Sequence, residues 1–484
     1  MLKSSAAVLR PSRNPSQRDG SKRIASPHAT PQPAFSKMNI SHPSAALDNS
    51  RHLEMIPIHH RLHATVRVPG SKSLTNRALL IASLANGTTR LTSALFSDDS
   101  LYFARALQTL GFDVHLDEAN HEMTVTGLGG KIPANKAELF IGNSGTTARF
   151  LSAFLTLGNG EYILDGDVRM RERPIGDLVS ALRPLGAKLG PAHTDDWSLI
   201  TDYSRLCPPI KIIANGLPGG RTTIAGDISS QFLSALLMVA PYAQNPIEIA
   251  LSTDLNSKPY VDMTLAIMQD FGVQIQRNKY QSFRIPITNY QSPINYSIES
   301  DASAASYFFA APAICGGTVR VENISRKSVQ GDIAFLDVLK QTGCQVTEGE
   351  NFIEVTGTEA LAGVDVDMRD IPDTAQTLAA IAPFASSPTR ISGIASARVK
   401  ETDRIHATCT ELARLGVRVH EHEDGMTIHP CQNFTPSTVK TYNDHRMAMA
   451  FSLIGLRVAG ITIENPSCVS KTFPNFFEML ETLR

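Results

Sequence analysis

No stretch of this 484-residue chain approaches the ~18 to 20 consecutive apolar residues that a membrane-spanning helix needs, although 42% of its residues are hydrophobic. A helical membrane span is therefore excluded, and enough apolar residues remain to build globular cores. Six cysteines (Cys207, Cys315, Cys344, Cys409, Cys431, Cys468) are scattered, with neither C-x-x-C spacing nor an accompanying His pair. Reduced thiols are expected, with no disulfide scaffold and no metal site. An excess of one charge is missing too, at 45 Lys/Arg against 46 Asp/Glu. The first 53 residues hold eight of those bases and only two of the acids, which leaves 37 against 44, or −7, for the rest. An acidic body argues against a broad nucleic-acid footprint, and its basic loops lack the interleaved aromatics on which bases stack. Any basic cluster within it reads as a focused site for small anions.

Residues 1–53 are rich in Ser and Pro and keep no helical or strand period, so a disordered N-terminal extension is expected. Being Arg- and Ser-rich and acid-poor, it has the composition of an organelle transit peptide. The plainer alternatives are a dispensable extension or a true start at Met38 or Met55. A cytoplasmic location suits the body, and a plastid location would follow if the extension is an import signal.

What is present is repetition. A helix-like apolar run, a short turn and a β-rich run recur six times: Ala78 to Leu91, Ala148 to Leu164, Ser234 to Ile249, Ala305 to Val321, Gln376 to Ile391 and Ala448 to Ile463. The period is about 70 to 85 residues, longer than the usual solenoid repeat. In five units a second helix follows and stops at a glycine (Gly111, Gly186, Gly272, Gly343, Gly416) suited to a left-handed cap. The pattern predicts an α/β protein of six β-α-β-α-β-β-like units, three before about Ser300 and three after it. Two similar domains are expected, one over 71–299 and the other over 54–70 plus 300–484. Hinges would lie near Pro69-Gly70 and Ser297 to Asp301, with a cleft between the domains.

Six polar segments stand out, most of them at the mouth of an apolar helix: Ser71 to Arg77, Gly142 to Arg149, Arg169 to Pro174, Ser229 to Gln231, Arg398 to Arg404 and Asn443 to Arg446. Free N–H groups and the positive end of a helix dipole beside Lys or Arg favour an anion. Ser229, Ser230, Asn443 or Asp444 alone could be simple N-caps, worth about 1 kcal/mol. Lys400 and Arg404, at i and i+4, would repel on one helix unless an anion or carboxylate lay between them. Arginine captures carboxylate or phosphate in a fork, and lysine supplies a compact charge that can also move a proton. Asp373 and Glu401, set among these cations, are candidate proton carriers. The residues thus point to an enzyme for two anionic small molecules.

At these segments the chain resembles the EPSP synthase family of enolpyruvyl transferases. The resemblance rests on Pro69-Gly70-Ser71-Lys72-Ser73, Asn143-Ser144-Gly145-Thr146, Arg169 to Pro174, Ser229-Ser230-Gln231-Phe232, Ser257-Lys258-Pro259-Tyr260, Arg398 to Arg404, Thr441 to Met449 and Lys471-Thr472-Phe473-Pro474. These motifs run in order from about Met55 to the C-terminus. The resemblance implies two three-repeat domains, each an inside-out α/β barrel, closing over substrate. It implies attack of the 5-hydroxyl of shikimate 3-phosphate on C2 of phosphoenolpyruvate with protonation at C3, then loss of phosphate from a tetrahedral intermediate. No cofactor or metal, no nucleic-acid or membrane partner, and a monomer are implied. Carried over by motif, Lys72, Ser73, Arg77, Ser229, Ser230, Gln231, Ser257, Tyr260, Asp373, Ser396 and Lys400 would hold shikimate 3-phosphate. Lys72, Gly145, Arg169, Gln231, Arg404, Arg446 and Lys471 would hold phosphoenolpyruvate. Asp373 would take the hydroxyl proton, and Lys72, Glu401 and Lys471 are the other catalytic candidates.

Three residues depart from the family pattern: Ser396 for Asn, Ala397 for Trp, and Phe150 for Pro after Arg149. The first would shorten or lose a substrate hydrogen bond. Phe150 could shift the helix behind Gly145, although Gly145 itself implies that glyphosate competes with phosphoenolpyruvate. Rival readings fit less well. The related UDP-N-acetylglucosamine enolpyruvyl transferases resemble this chain but carry a reactive Cys near the position of Val168, and no Cys precedes Cys207 here. An RNA 3′-phosphate cyclase would need a less acidic body, and a non-catalytic anion-binding paralogue would not need Lys72, Asp373, Glu401 and Lys471 intact.

Overall fold

The computed structural model describes residues 52–198, 200, 202–292 and 295–484. Six helices carry the apolar runs: Lys72–Leu84, Gly145–Phe154, Ser230–Val239, Ala302–Cys315, Ala375–Ile381 and His445–Gly455. These helices are rich in apolar residues and are buried almost all round, polar side chains such as Asn76, Arg149 and His445 included. The first three pack on one another, as do the last three. Strands follow them at Asn86–Thr92, Asn159–Asp165, Ile247–Leu251, Gly317–Glu322, Thr389–Ser392 and Thr462–Glu464. The second helices are Asp98–Thr109, Gly176–Leu182, Lys258–Asp270, Phe335–Gln341, Arg404–Arg414 and Phe476–Glu481. The five expected stop glycines all have positive φ, between 83° at Gly416 and 98° at Gly343. A Cβ is disfavoured there, so glycine ends the helix at each of them.

Three units form complete four-stranded sheets. In one, Lys136–Phe140 runs parallel to Asn159–Asp165, which pairs antiparallel with Ile210–Asn215, itself paired with Lys188–Pro191. The sheets around Ile247–Leu251 and Thr389–Ser392 repeat that order. The other three exchange strands. Leu62–Val66, just ahead of the first helix, pairs with Gly317–Glu322, while Asn86–Thr92 takes Asn295–Ser297 as its parallel neighbour. Thr462–Glu464 is completed by Thr438–Val439 and by His52–Glu54. All strands of three sheets thus come from 86–297, and those of the other three from 52–66 and 317–464. One apolar cluster joins Met55, Ile58, Leu62, Val66 and Val68 to buried residues between Ala302 and Leu483.

The two crossing segments lie side by side. Gly70 bridges Ser300, Ser71 N–H donates to the Glu299 carbonyl (2.9 Å), and Asp301 N–H donates to the Pro69 carbonyl (2.9 Å). A Cβ on Gly70 would stand 1.9 Å from the Ser93 carbonyl oxygen, so no other residue fits without moving backbone.

Two expectations are corrected. His52 and Leu53 are not part of a disordered extension: they pair with Glu464 and Ile463, because the last strand offers them an open edge. Residues 1–51 lie outside the described residues. Nor do Lys400 and Arg404 share a helix. Asp403 caps the helix that begins at Arg404, its side chain accepting from His406 N–H, and Lys400 belongs to the preceding loop.

Candidate active site

The helix mouths deliver residues to one cavity. It is lined by Lys72, Asp99, Gly145, Thr146, Arg173, Gln231, Asp373, Lys400, Glu401, Arg404 and Arg446. Lys72, Gly145 and Arg404 open their helices, and Thr146, Gln231 and Arg446 stand one position further in. Local capping explains why the chain enters its helices here: Ser71, Ser229 and Asp444 accept N–H bonds from Leu74, Gln231 and Arg446. The helix at Ala302 also reaches the site, since its cap Asp301 accepts from Lys72 N–H at 3.0 Å. A neighbouring cavity is lined by Ser229, Gln231, Ser396 and Lys400 with Arg149 and Arg173.

Five cations and three carboxylates face the first cavity. Arg404 donates to Glu401 (2.7 Å), Asp373 (3.2 Å) and Asp444 (2.8 Å). Arg446 donates to Asp373 Oδ2 at 2.8 Å and to its carbonyl at 3.0 Å. Lys471 Nζ donates to Asp99 (2.8 Å) and the Asn143 carbonyl (2.6 Å), and it lies 3.8 Å from Glu401. Lys72 is 3.5 Å from Asp99. Arg173 donates to Asn143 at 2.9 and 3.0 Å and lies 3.6 Å from Glu401.

Burial alone would raise the Asp373 carboxyl, but Arg446, Lys400, Arg404 and Lys72 outweigh it and hold it well below the carboxylate range. Glu401 is likewise held low against burial, by Arg404, Arg173 and Lys471. Burial lowers the Lys400 ammonium, with Asp373 opposing. Burial also drives His445 well below its usual value, with Arg446 adding to it, so this imidazole is neutral. Neither of its ring nitrogens has a hydrogen-bond partner among the described residues.

Other expected residues fall elsewhere. Ser257 adopts a left-handed conformation (φ 56°) and meets the Arg369 carbonyl, and three residues on Tyr260 reaches Asp373 at 3.3 Å. Ser230 is buried as the first residue of its helix, and the Ser73 carbonyl accepts from Arg77. Arg77 lines neither cavity. Its guanidinium is bonded to Thr264 (2.8 Å), Ser234 and two carbonyls, and it lies over the Phe150 ring. Phe150 is fully buried, and its ring carries Arg77 rather than facing either cavity. Arg169 is not in the lining either, because it ties its own segment to the carbonyls of Lys400 and Glu401 (both 2.9 Å).

Asp99 was missed in the sequence. It sits one residue inside the helix capped by Ser97, as Thr146, Gln231 and Arg446 do in theirs, and acidic first turns are ordinary in helices. Its partners Lys72 and Lys471 lie 27 residues before it and 372 after it.

Layered sheets around buried helices match the fold of the solved EPSP synthase of Acinetobacter baumannii, with a TM-score of 0.73 at 26% identity over 89% of this chain and 97% of that one. The architecture is thus that of the enolpyruvyl transferases. The family model for EPSP synthase (3-phosphoshikimate 1-carboxyvinyltransferase) matches residues 56–480. A 3-phosphoshikimate 1-carboxyvinyltransferase of Nostoc punctiforme is 48% identical over 433 residues, covering 89% of this chain and 99% of that protein. That of Shewanella denitrificans is 48% identical over 428 residues, covering 88% and 97%. The chain belongs to the EPSP synthase family.

Proposed function

We propose that this protein transfers the enolpyruvyl group of phosphoenolpyruvate to the 5-hydroxyl of shikimate 3-phosphate and releases phosphate. The observation that carries this reading is convergence: Lys72, Gly145, Gln231, Asp373, Lys400, Glu401, Arg404 and Arg446, spread over 375 positions, line one cavity. In the substrate-free protein the carboxylates neutralise the arginines. An incoming phosphate and carboxylate compete with Asp373 and Glu401 for Arg404, Arg446 and Arg173. Losing those partners raises both carboxyls. Asp373 then becomes a competent base for the hydroxyl proton, and Glu401, Lys72 or Lys471 can deliver protons during addition and elimination. The cations that remain stabilise the polyanionic intermediate.

We assign the two three-repeat domains to 71–299 and to 54–70 with 300–484, closing at the paired crossings, a division supported by sheet membership. Action as a monomer is part of this reading. The compartment belonging to this reading is the cytoplasm, or a plastid if residues 1–53 direct import. Glyphosate is expected to compete with phosphoenolpyruvate, and an inhibition constant in the high millimolar range would count against that. The decisive assay is phosphate release from phosphoenolpyruvate, with shikimate 3-phosphate as acceptor and UDP-N-acetylglucosamine as the alternative. Turnover with the first acceptor is expected, and turnover only with the second would overturn the reading.

A further inference from the structure

A second buried carboxyl stands behind Asp373. Asp332, in the Gly331–Ala334 turn, is 4% exposed. Its Oδ2 accepts from the Tyr260 hydroxyl at 3.1 Å and from the Ser303 hydroxyl, and its Oδ1 has no hydrogen-bond partner among the described residues. The same Tyr260 hydroxyl lies 3.3 Å from Asp373 Oδ2. Two carboxyls thus share a phenol that has only one proton to give. Their surroundings differ. Asp373 is gripped by Arg446 and Arg404, whereas no ion pair reaches Asp332 among the described residues.

We propose that Asp332 is a positioning residue for the transfer reaction, acting through Tyr260 as the terminal holder of the proton that Asp373 takes from the attacking hydroxyl. This rests on the function proposed above. The step balances without a redox partner. The O–H bond on Asp373 breaks as one forms on the Tyr260 oxygen, while the Tyr260 O–H breaks as one forms on Asp332 Oδ2. Asp373 is left ionised, Tyr260 is unchanged, and one proton has moved. Once phosphate has left, it returns by the same path to Asp373 and passes to solvent, which leaves all three groups as they began.

The electrostatics support the direction. Burial first, then the charge of Asp373, raise Asp332 to about 7, with Asp301 adding and Arg446 and the Ser303 hydroxyl opposing. Burial, with Asp332 and Asp373, keeps the Tyr260 phenol well above its usual value, so it carries protons without ionising. Asp373, Arg446, Asp301 and Tyr260 are the titratable and charged groups that face Asp332.

The test is the pH profile of kcat in the full-length protein with saturating phosphoenolpyruvate and shikimate 3-phosphate. Asp332 must be ionised to accept, so the wild type should lose kcat on the acid side with an inflection near neutrality. D332N should lower kcat about 10- to 100-fold, less than loss of a whole general base, and abolish that inflection. Its KM for shikimate 3-phosphate should change less than about threefold, within the span of a lost neutral hydrogen bond. Ser303→Ala removes a bond that lowers Asp332, so it should move the inflection to higher pH. It also provides a test should D332N not fold. A folded D332N that keeps the wild-type inflection, or an unmoved inflection in S303A, would overturn the relay while leaving the reaction standing. No wild-type turnover at all would overturn both.

Discussion

Arg77 and Arg149 differ from Arg404 and Arg446 in their partners, although all four are buried. The first pair, from 71–299, meets hydroxyls, carbonyls and the rings of Phe150 and Phe232. Burial with no carboxylate bonded to them pulls these guanidiniums down, to about 10 at Arg77 and about 9 at Arg149. The second pair, from 300–484, meets Asp373, Glu401 and Asp444, and both are held above the usual arginine value against the pull of burial. Arg77, Arg149 and Arg446 lie within apolar helices near their mouths and Arg404 opens an amphipathic one, so a helix-mouth position alone does not separate the pairs. What separates them is whether carboxylates stand opposite. Where they do, a substrate anion has something to displace.

That contrast can be broken or sharpened by experiment. Lys72→Met has the largest expected effect, a loss of kcat on the order of 10³-fold, comparable to removing one preorganised donor, with an unchanged circular dichroism spectrum. Near-normal turnover would remove Lys72 from the site. Arg404→Met should cost about 3 to 5 kcal/mol in urea denaturation, because it leaves buried Asp444 without its guanidinium and weakens the pairing of Asp373 and Glu401. Arg77→Met strands only neutral groups and should cost roughly 1 to 3 kcal/mol. Equal costs would erase the distinction drawn between the two classes.

Gly145→Ala should raise KM for phosphoenolpyruvate about tenfold, a loss near 1.4 kcal/mol. Its Cβ would lie 2.4 Å from Arg173 Nη2, so that guanidinium must leave Asn143 or intrude on the cavity. An unchanged KM would mean Arg173 is not part of anion binding. A pH series refines the carboxylates. Asp332, raised in the folded state, keeps its proton after the unfolded chain has released it near pH 4. It therefore contributes a decline in stability between about pH 4 and 7, which D332N should remove. Asp373 and Glu401, held low, have the opposite sign: their contribution is complete above about pH 4 and is lost on further acidification. The smallest effect is expected from deleting residues 1–51, none of which is among the described residues lining the cavity, and kcat/KM should stay within about twofold.

Much of this was legible in the chain itself. Six units, five glycine stops and the helix-mouth motifs depend on short-range rules of periodicity, capping and backbone freedom, and these act within a few residues. That Arg77 stands outside both cavities is not legible, because its partners Thr264 and Ser234 lie 187 and 157 residues away and nothing local shows that its donors are already taken. Asp99 was overlooked for the same reason. The strand at His52–Glu54 could not be read from so polar a segment, because the edge that holds it is 408 to 412 residues further on. The spacing of Lys400 and Arg404 leaves open whether they share a helix, and the capping role of Asp403 decides that they do not.

The strand exchange has a bearing on synthesis. Residues 72–297 hold every strand of their three sheets, so that part can close soon after Ser297 leaves the ribosome. Leu62–Val66 emerges earlier, yet its neighbour begins at Gly317, 255 residues downstream of Leu62. At ordinary translation speeds that strand waits roughly 13 to 50 s with its edges bare. A nascent chain stalled between these points would present a strand with one apolar face, Leu62, Ala64, Val66 and Val68, to any chaperone able to bind extended segments.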